Sequence, residues 1–161
     1  MLPIKKHYLL YDLQSIMTDI NKLHFQKNEH KFYLLLISYL GCEYEIIKSN
    51  DFYCNIDFIV INKQNLKTLY IEHKCRNIND IYDTLLIGTT KINSIQKNYT
   101  SKCILVWEFL NDKFYFKKIE QDFIKKYKHS CVRGSDCLEI IKKDCFDGII
   151  NLIKLIQFEL N

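Results

Sequence analysis

A chain of 161 residues with 48% hydrophobic residues is long enough to bury a core, so its composition excludes an intrinsically disordered protein. The formal net charge of +4 is compatible with a nucleic-acid partner without requiring one, because the abundant Lys, Asn, Ile and Tyr also reflect AT-rich codons. No apolar segment has the length of a membrane span, and we expect one domain over residues 1–161 with no membrane partner.

The cysteines indicate a reducing compartment. Their number is odd, they are scattered, and most lie in apolar runs, so we expect buried thiols rather than disulfides. They occupy positions 42, 54, 75, 103, 131, 137 and 145. The last three, with His129, match no usual zinc-site spacing. The sequence starts without a signal peptide, so we expect an intracellular protein of the cytoplasm or nucleus.

The first half of the chain is predicted to place two helices before three strands. Apolar residues at helical spacing predict helices over 12–24 and 28–41, the second ending at a glycine suited to a left-handed cap. Strands are predicted over 43–47, 55–62 and 67–75. The turn between the last two is short, so these strands are expected to be antiparallel neighbours.

The second half is predicted to alternate strands and helices. Residues 79–99 are mixed, and the clearest helical pattern begins near Gly88. The predicted elements are a helix over 88–99, strands over 103–110 and 113–119, a helical or irregular stretch over 120–128, a short edge strand over 137–141 and an amphipathic helix over 146–160.

One group of residues specifies a chemistry. Asp57 begins one predicted strand, and Glu72, His73 and Lys74 lie on the next. Side chains alternate along a strand, so Glu72 and Lys74 share a face, and the hairpin can bring Asp57 beside Glu72. Two carboxylates at the ends of buried strands are costly unless a cation lies between them. The pattern therefore predicts a site for a hard divalent cation.

These segments resemble a known family. Asn-Ile-Asp at 55–57 and Tyr-Ile-Glu-His-Lys at 70–74 are similar to the motif of the PD-(D/E)XK nuclease superfamily, with Ile56 where members often have proline. The superfamily includes restriction enzymes, archaeal Holliday-junction resolvases and recombination nucleases of viruses and phages. The resemblance covers about 25–118 and implies an α/β, restriction-endonuclease-like core. That core is a mixed central sheet flanked by helices (αβββαβ), here with extra N-terminal and C-terminal helices.

The resemblance implies hydrolysis of DNA phosphodiester bonds with Mg²⁺ or Mn²⁺. Asp57 and Glu72 would be the metal ligands, joined by the backbone carbonyl of His73. Lys74 would orient or deprotonate the attacking water and stabilise the transition state. The alternative is a catalytically silent nuclease-fold subunit that binds nucleic acid or joins an assembly. Such relatives usually lose the aspartate or the lysine, and this chain keeps both.

Two further residues are candidates for the site. Members of the superfamily often carry a glutamate on the first core helix, and Glu29 lies on the predicted inner face of that helix. It either completes the metal site or complements the helix dipole. Residues 82–91 resemble a segment that follows the catalytic strand in nucleases of large DNA viruses and phages. By that likeness Lys91 faces the site and contacts the scissile phosphate, whereas the alternative is a solvated lysine.

A set of basic residues is expected to contact nucleic acid. Arg76 follows the catalytic motif, and Lys125, Lys126 and Lys128 lie in a basic stretch with interleaved aromatic residues, a pattern that suits a phosphate backbone or a solvated face. The resemblance favours an endonuclease of viral or mobile-element origin acting on structured or damaged DNA. It leaves RNA open as a substrate and allows a homodimer, because members of this size often pair to cut two strands.

Overall fold

The structure, a computed structural model, describes residue 23 and residues 26–49, 55–99 and 102–161. The helix predicted over 12–24 therefore lies outside the described residues, except for Leu23, which is helical. None of the described helices is both long and apolar enough to cross a membrane.

Nine strands and four helices make up the described part of the chain. The strands are β1 (Tyr44–Lys48), β2 (Phe58–Asn62), β3 (Thr68–Arg76), β4 (Thr84–Gly88), β5 (Cys103–Phe109), β6 (Phe114–Lys118), β7 (Lys128–Val132), β8 (Ser135–Ile141) and β9 (Phe146–Asp147). The helices are α1 (26–40), α2 (Thr89–Tyr99), α3 (Phe123–Lys126) and α4 (Ile149–Leu160), and a 3-10 turn covers Lys142–Asp144.

The larger sheet has six strands in the order β1-β2-β3-β5-β6-β9. Within it β3 and β5 are parallel, while the other neighbours are antiparallel. The parallel pair needs a crossover connection, and β4 with α2 provides it. The mixed central sheet and the antiparallel pairing of β2 with β3 are thus confirmed.

Two hydrophobic cores lie on opposite faces of this sheet, because successive residues of its fully buried strand β5 point in opposite directions. Ile104 and Val106 pack with α1 and α4, whereas Leu105 and Trp107 pack with α2 and the smaller sheet. Helix α1 ends as predicted at Gly41, which has φ of 73° and donates its N–H to the carbonyl of Ile37 at 3.0 Å.

The strand predicted over 137–141 is present, but the prediction that it lies at an edge is wrong. That segment belongs to β8, which is the middle strand of a second sheet with the order β4-β8-β7. Strand β4 was not predicted from the sequence, because no run of turn residues separates its apolar residues from the start of α2. Similarly, Lys128 begins β7 rather than ending the stretch predicted over 120–128. Long-range pairing, which leaves little local pattern, decides these elements.

A candidate active site formed by two carboxylates and two lysines

The hairpin of β2 and β3 brings Asp57 beside Glu72. Phe58 pairs with Ile71 in the register of the two strands, and Asp57 immediately precedes Phe58. Its N–H donates to the carbonyl of Ile71 at 3.0 Å, and its Oδ2 accepts the N–H of His73 at 2.7 Å. Asp57 is therefore held against the backbone of the β3 segment that contains Glu72.

Glu72 is the buried centre of the group. Its side chain is 0% exposed, and its Oε1 lies 2.8 Å from the Nζ of Lys74 and 2.5 Å from the Nζ of Lys91. Its Oε2 is buried as well and has no hydrogen-bond partner among the described residues. A buried carboxylate oxygen without a partner is costly, so Glu72 has unused capacity to bind a cation.

Lys91 reaches the site from α2. It is the third residue of that helix and precedes Ile92, which is fully buried in the core beneath. Burial alone lowers the pKa of Lys91, but the adjacent carboxylates of Glu72 and Asp57 outweigh this effect, and the pKa lies above its ordinary value. Lys91 is thus a cation that contacts the acidic pair. It is not the solvated lysine that was the alternative interpretation of the sequence.

The pKa of Asp57 is raised to about 6. Burial is the largest cause, and repulsion from Glu72 is the next. The N–H of His73 and the ammonium groups of Lys91 and Lys74 act in the opposite direction but do not cancel these effects. Two carboxylates close together in a partly desolvated site resist ionising together, and a cation between them would relieve that repulsion.

Glu29 lies at the same end of the sheet in another ion pair. Its Oε2 is 3.2 Å from the Nζ of Lys48. Lys48 is the last residue of β1 and pairs with Phe58, the first residue of β2. The ion pair therefore places Glu29 beside β1, whereas Asp57 directly precedes the neighbouring strand β2. Its predicted part in the metal site stays a prediction.

The three lysines of the basic stretch that is expected to contact nucleic acid differ in whether they form ion pairs. Lys126 forms an ion pair with Asp122 at 3.1 Å, and Lys128 forms one with Glu139 at 3.6 Å, while Lys125 is exposed. These pairs offset part of the charge of the basic stretch. The expectation that this stretch contacts nucleic acid stays a prediction.

A buried group that the sequence did not predict lies on the opposite face of β3. The Nε2 of His73 lies 2.9 Å from the Oε2 of Glu108, and Lys31 of α1 lies 3.3 Å from the Oε1 of Glu108. The His73 ring also stacks on Phe32 with centroids 4.3 Å apart. Together these contacts fix the backbone between Glu72 and Lys74 from behind. The one feature of the sequence that could have indicated this group is Glu108, a single carboxylate in the otherwise apolar strand β5.

The residues present fit a hard divalent cation. Asp57 and Glu72 present carboxylate oxygens, including the unpartnered Oε2 of Glu72, and the predicted part of the His73 carbonyl stays a prediction. In the part of the chain that the structure describes, no group of three or more His, Cys, Asp or Glu side chains could hold a metal. A cation here would therefore complete its shell with water or substrate oxygens, which is the usual behaviour of Mg²⁺.

Two solved structures are similar to this one. Hjc, a Holliday junction resolvase from the archaeal hyperthermophile Archaeoglobus fulgidus, has a TM-score of 0.53 and 12% identity over 80% of this chain and 94% of that chain. D212, a nuclease from a fusselovirus, has a TM-score of 0.48 and 13% identity over 99% of this chain and 96% of that chain. Neither a protein-family model nor a curated protein matches the chain. The first likeness confirms the predicted restriction-endonuclease-like fold.

The raised pKa of Asp57 predicts a pH-dependent stability. A carboxyl group whose folded pKa is above its unfolded value stabilises the fold at low pH, and this contribution is lost as the pH rises from about 4 through about 6. In EDTA, Asp57→Asn should therefore raise the free energy of unfolding at pH 7 by roughly 3 kcal/mol relative to wild type, with little difference at pH 4. Urea denaturation followed by the fluorescence of Trp107 measures both values.

Asp83→Asn, which removes an exposed carboxylate, is the matched control and should behave like the wild type at both pH values. A gain from Asp57→Asn that is the same at pH 4 and pH 7 would contradict the assigned ionisation.

Proposed function

We propose that this chain is a metal-dependent nuclease that hydrolyses DNA phosphodiester bonds, as an endonuclease on structured or damaged DNA. The observation that carries the proposal is the buried Glu72, which is coupled to Asp57 and paired with two lysines. An acidic pair lined by ammonium groups can hold a cation and an anionic phosphate side by side. The restriction-endonuclease-like fold supports the same conclusion.

Asp57, Glu72 and the backbone carbonyl of His73 would hold Mg²⁺ or Mn²⁺, and Glu29 is a candidate to join them through a shift of its side chain. When bound, the ion supplies Lewis acidity and lowers the pKa of a bound water. The chain contributes the rest. Asp57 is fixed by the N–H of His73, and Glu72 is shielded from bulk water, so the two carboxylates are organised before substrate binds.

The two lysines have different parts in the proposal. The Lys74 side chain is 34% exposed, so its ammonium can reach an attacking water while Glu72 holds it in place. An ammonium donates hydrogen bonds, and we therefore assign Lys74 to orienting that water and stabilising the pentacovalent phosphate. Lys91 is more deeply placed, with its side chain 23% exposed, and we assign it to the oxygens of the scissile phosphate.

A DNA partner is supported by the net charge and by the archaeal neighbour. The net charge of +4 is compatible with a polyanionic partner, and the neighbour is a Holliday junction resolvase, so branched DNA is the first substrate to test. Lys125, Lys126 and Lys128 are proposed to contact the backbone away from the cut. Because ion pairs hold two of the three, we expect each to contribute less than Lys91.

Removing the acidic pair or Lys74 should abolish cleavage. Asp57→Asn, Glu72→Gln and Lys74→Met are each expected to lower the rate at least about a hundredfold, because each removes a group that acts on the metal or on the transition state. The measurement is gel-resolved cleavage of linear, circular, branched and single-stranded DNA in Mg²⁺, Mn²⁺ or EDTA.

Circular dichroism should show that each variant stays folded. Lys143→Met, on an exposed lysine of the 3-10 turn, is the matched control and should cleave at the wild-type rate. Cleavage that persists in all three site variants, or in EDTA, would reject the proposed function. DNA binding with no cleavage under any condition would favour the catalytically silent alternative.

The position of Lys91 predicts a difference between two lysines of the same chain. Lys91→Ala should lower the cleavage rate at least about tenfold, because it removes a cation 2.5 Å from Glu72 in a partly buried site. Lys126→Ala should change the rate less than about threefold, because that lysine pairs with Asp122 at the surface. Single-turnover rates measure both, and equal losses would remove the special part assigned to α2.

Cation binding should also depend on pH. A group with a pKa of about 6 must lose its proton before it binds a metal, so Mn²⁺ affinity should fall about tenfold between pH 7 and pH 5. Isothermal titration calorimetry measures the affinity at each pH. An affinity that does not change over this range would mean that Asp57 is not a ligand.

A further inference from the structure

We propose that a second nucleotide site adjoins the acidic pair. In it, Arg76 binds the phosphate of an unpaired nucleotide, and the base of that nucleotide occupies an apolar hollow beside Arg76. The inference rests on the proposed nuclease function and specifies its substrate as DNA with an unpaired nucleotide next to the cut.

Arg76 is a half-buried cation whose charge is uncompensated. Its Nη2 donates to the carbonyl of Leu86 at 2.6 Å, and no carboxylate pairs with it among the residues that the structure describes. Burial lowers its pKa from the ordinary value, which reflects the cost of removing the guanidinium from water. A desolvated guanidinium with unused donors is a suitable partner for a phosphate, which it can bind through two parallel hydrogen bonds.

The location of Arg76 connects this charge to the acidic pair. Arg76 and Lys74 are two residues apart on β3 and share a face, so they are separated by roughly 7 Å along the strand. A groove of about 350 Å³ runs between β3 and the smaller sheet, and Lys74, Arg76 and Gly88 line it. The groove can thus guide one DNA strand from Lys74, which acts on the scissile phosphate, to Arg76 at an adjacent phosphate.

A separate hollow that Arg76 also lines suits a single base. It measures about 200 Å³ and is lined by Arg76, Ile78, Tyr82, Leu85 and Phe109. This is smaller than the roughly 300–1,000 Å³ of pockets for drug-sized ligands, so it suits one base rather than a base pair. Tyr82 is 57% exposed, which leaves its ring available for stacking. A base inside a duplex is already paired and stacked, and only an unpaired one can enter.

The wall of the hollow is fixed before any ligand arrives. Ile78 and Tyr82 lie on the segment between β3 and β4, which also contains Asp80. The Asp80 side chain is only 4% exposed, accepts a hydrogen bond from the Tyr115 hydroxyl at 2.5 Å and forms an ion pair with Lys142. The segment does not have to become ordered when a nucleotide binds, so the site is preorganised.

Binding in EDTA tests the hollow without any contribution from a bound metal. The probes are two fluorescent DNAs of one sequence, a complete duplex and the same duplex with a three-nucleotide single-stranded flap, compared by fluorescence anisotropy. Wild type should bind the flap DNA about tenfold more tightly. Tyr82→Ala should bind both DNAs equally, whereas Tyr82→Phe, which keeps the aromatic ring, should retain the preference. Thermal unfolding should show that both variants are folded.

Arg76→Lys separates phosphate binding from a purely structural role. It keeps the positive charge but loses the paired donors, so flap binding should weaken about fivefold with a smaller effect on the duplex. Arg133→Lys, at the only other arginine, is the matched control and should leave both affinities unchanged. If Arg76→Lys lowers the unfolding temperature while both affinities stay at wild-type values, the residue only joins β3 to β4 and the inference is wrong.

The inference and the proposed function fail in different ways. Equal binding of the two DNAs by wild type, or a flap preference that persists in Tyr82→Ala, overturns the nucleotide site even if Mg²⁺-dependent cleavage is normal. Absence of cleavage on every substrate rejects the nuclease function, on which the inference rests. A flap preference that depends on Tyr82 and Arg76, together with cleavage beside the flap, supports both.

Discussion

The burial of one carboxylate, that of Glu72, governs the arrangement of the candidate active site. Glu72 lies on β3 beside the parallel strand β5, where it has no exposure to water, and its charge is matched by ammonium groups from β3 and α2. A buried carboxylate without such partners would strongly destabilise the fold. The two lysines therefore serve the fold and the proposed chemistry together. The same position leaves one oxygen unpartnered, and this is the strongest structural reason to expect a cation at the site.

The central part of the fold and the acidic pair could be predicted from the sequence because their determinants are local. A short turn fixes β2 and β3 as neighbours, and the alternation of side chains along β3 then puts Glu72 and Lys74 on one face. The same hairpin brings Asp57 to the backbone of His73. Each step depends on residues at most seventeen positions apart, from Asp57 to Lys74, and needs no knowledge of distant contacts.

Other features depend on contacts that sequence periodicity does not encode. The smaller sheet joins β4 to β8, whose residues are about fifty positions away, so β4 was absent from the prediction and β8 was placed at an edge. The position of Lys91 at the site followed only from family likeness, since nothing local distinguishes that lysine from its neighbours, and its contact with Glu72 was not predicted. The link from His73 to Glu108 joins β3 to β5, and only the three-dimensional pairing of these strands reveals it.

The direct passage of β4 into α2 has a mechanical consequence. Gly88 ends the strand and Thr89 begins the helix, so no flexible connection separates the smaller sheet from the lysine that neutralises Glu72. Strand β4, which is hydrogen-bonded to β8, thus continues directly into the helix that contains Lys91. Substitutions that alter the twist of the hairpin formed by β7 and β8 would therefore change the distance between Lys91 and Glu72 without replacing either residue.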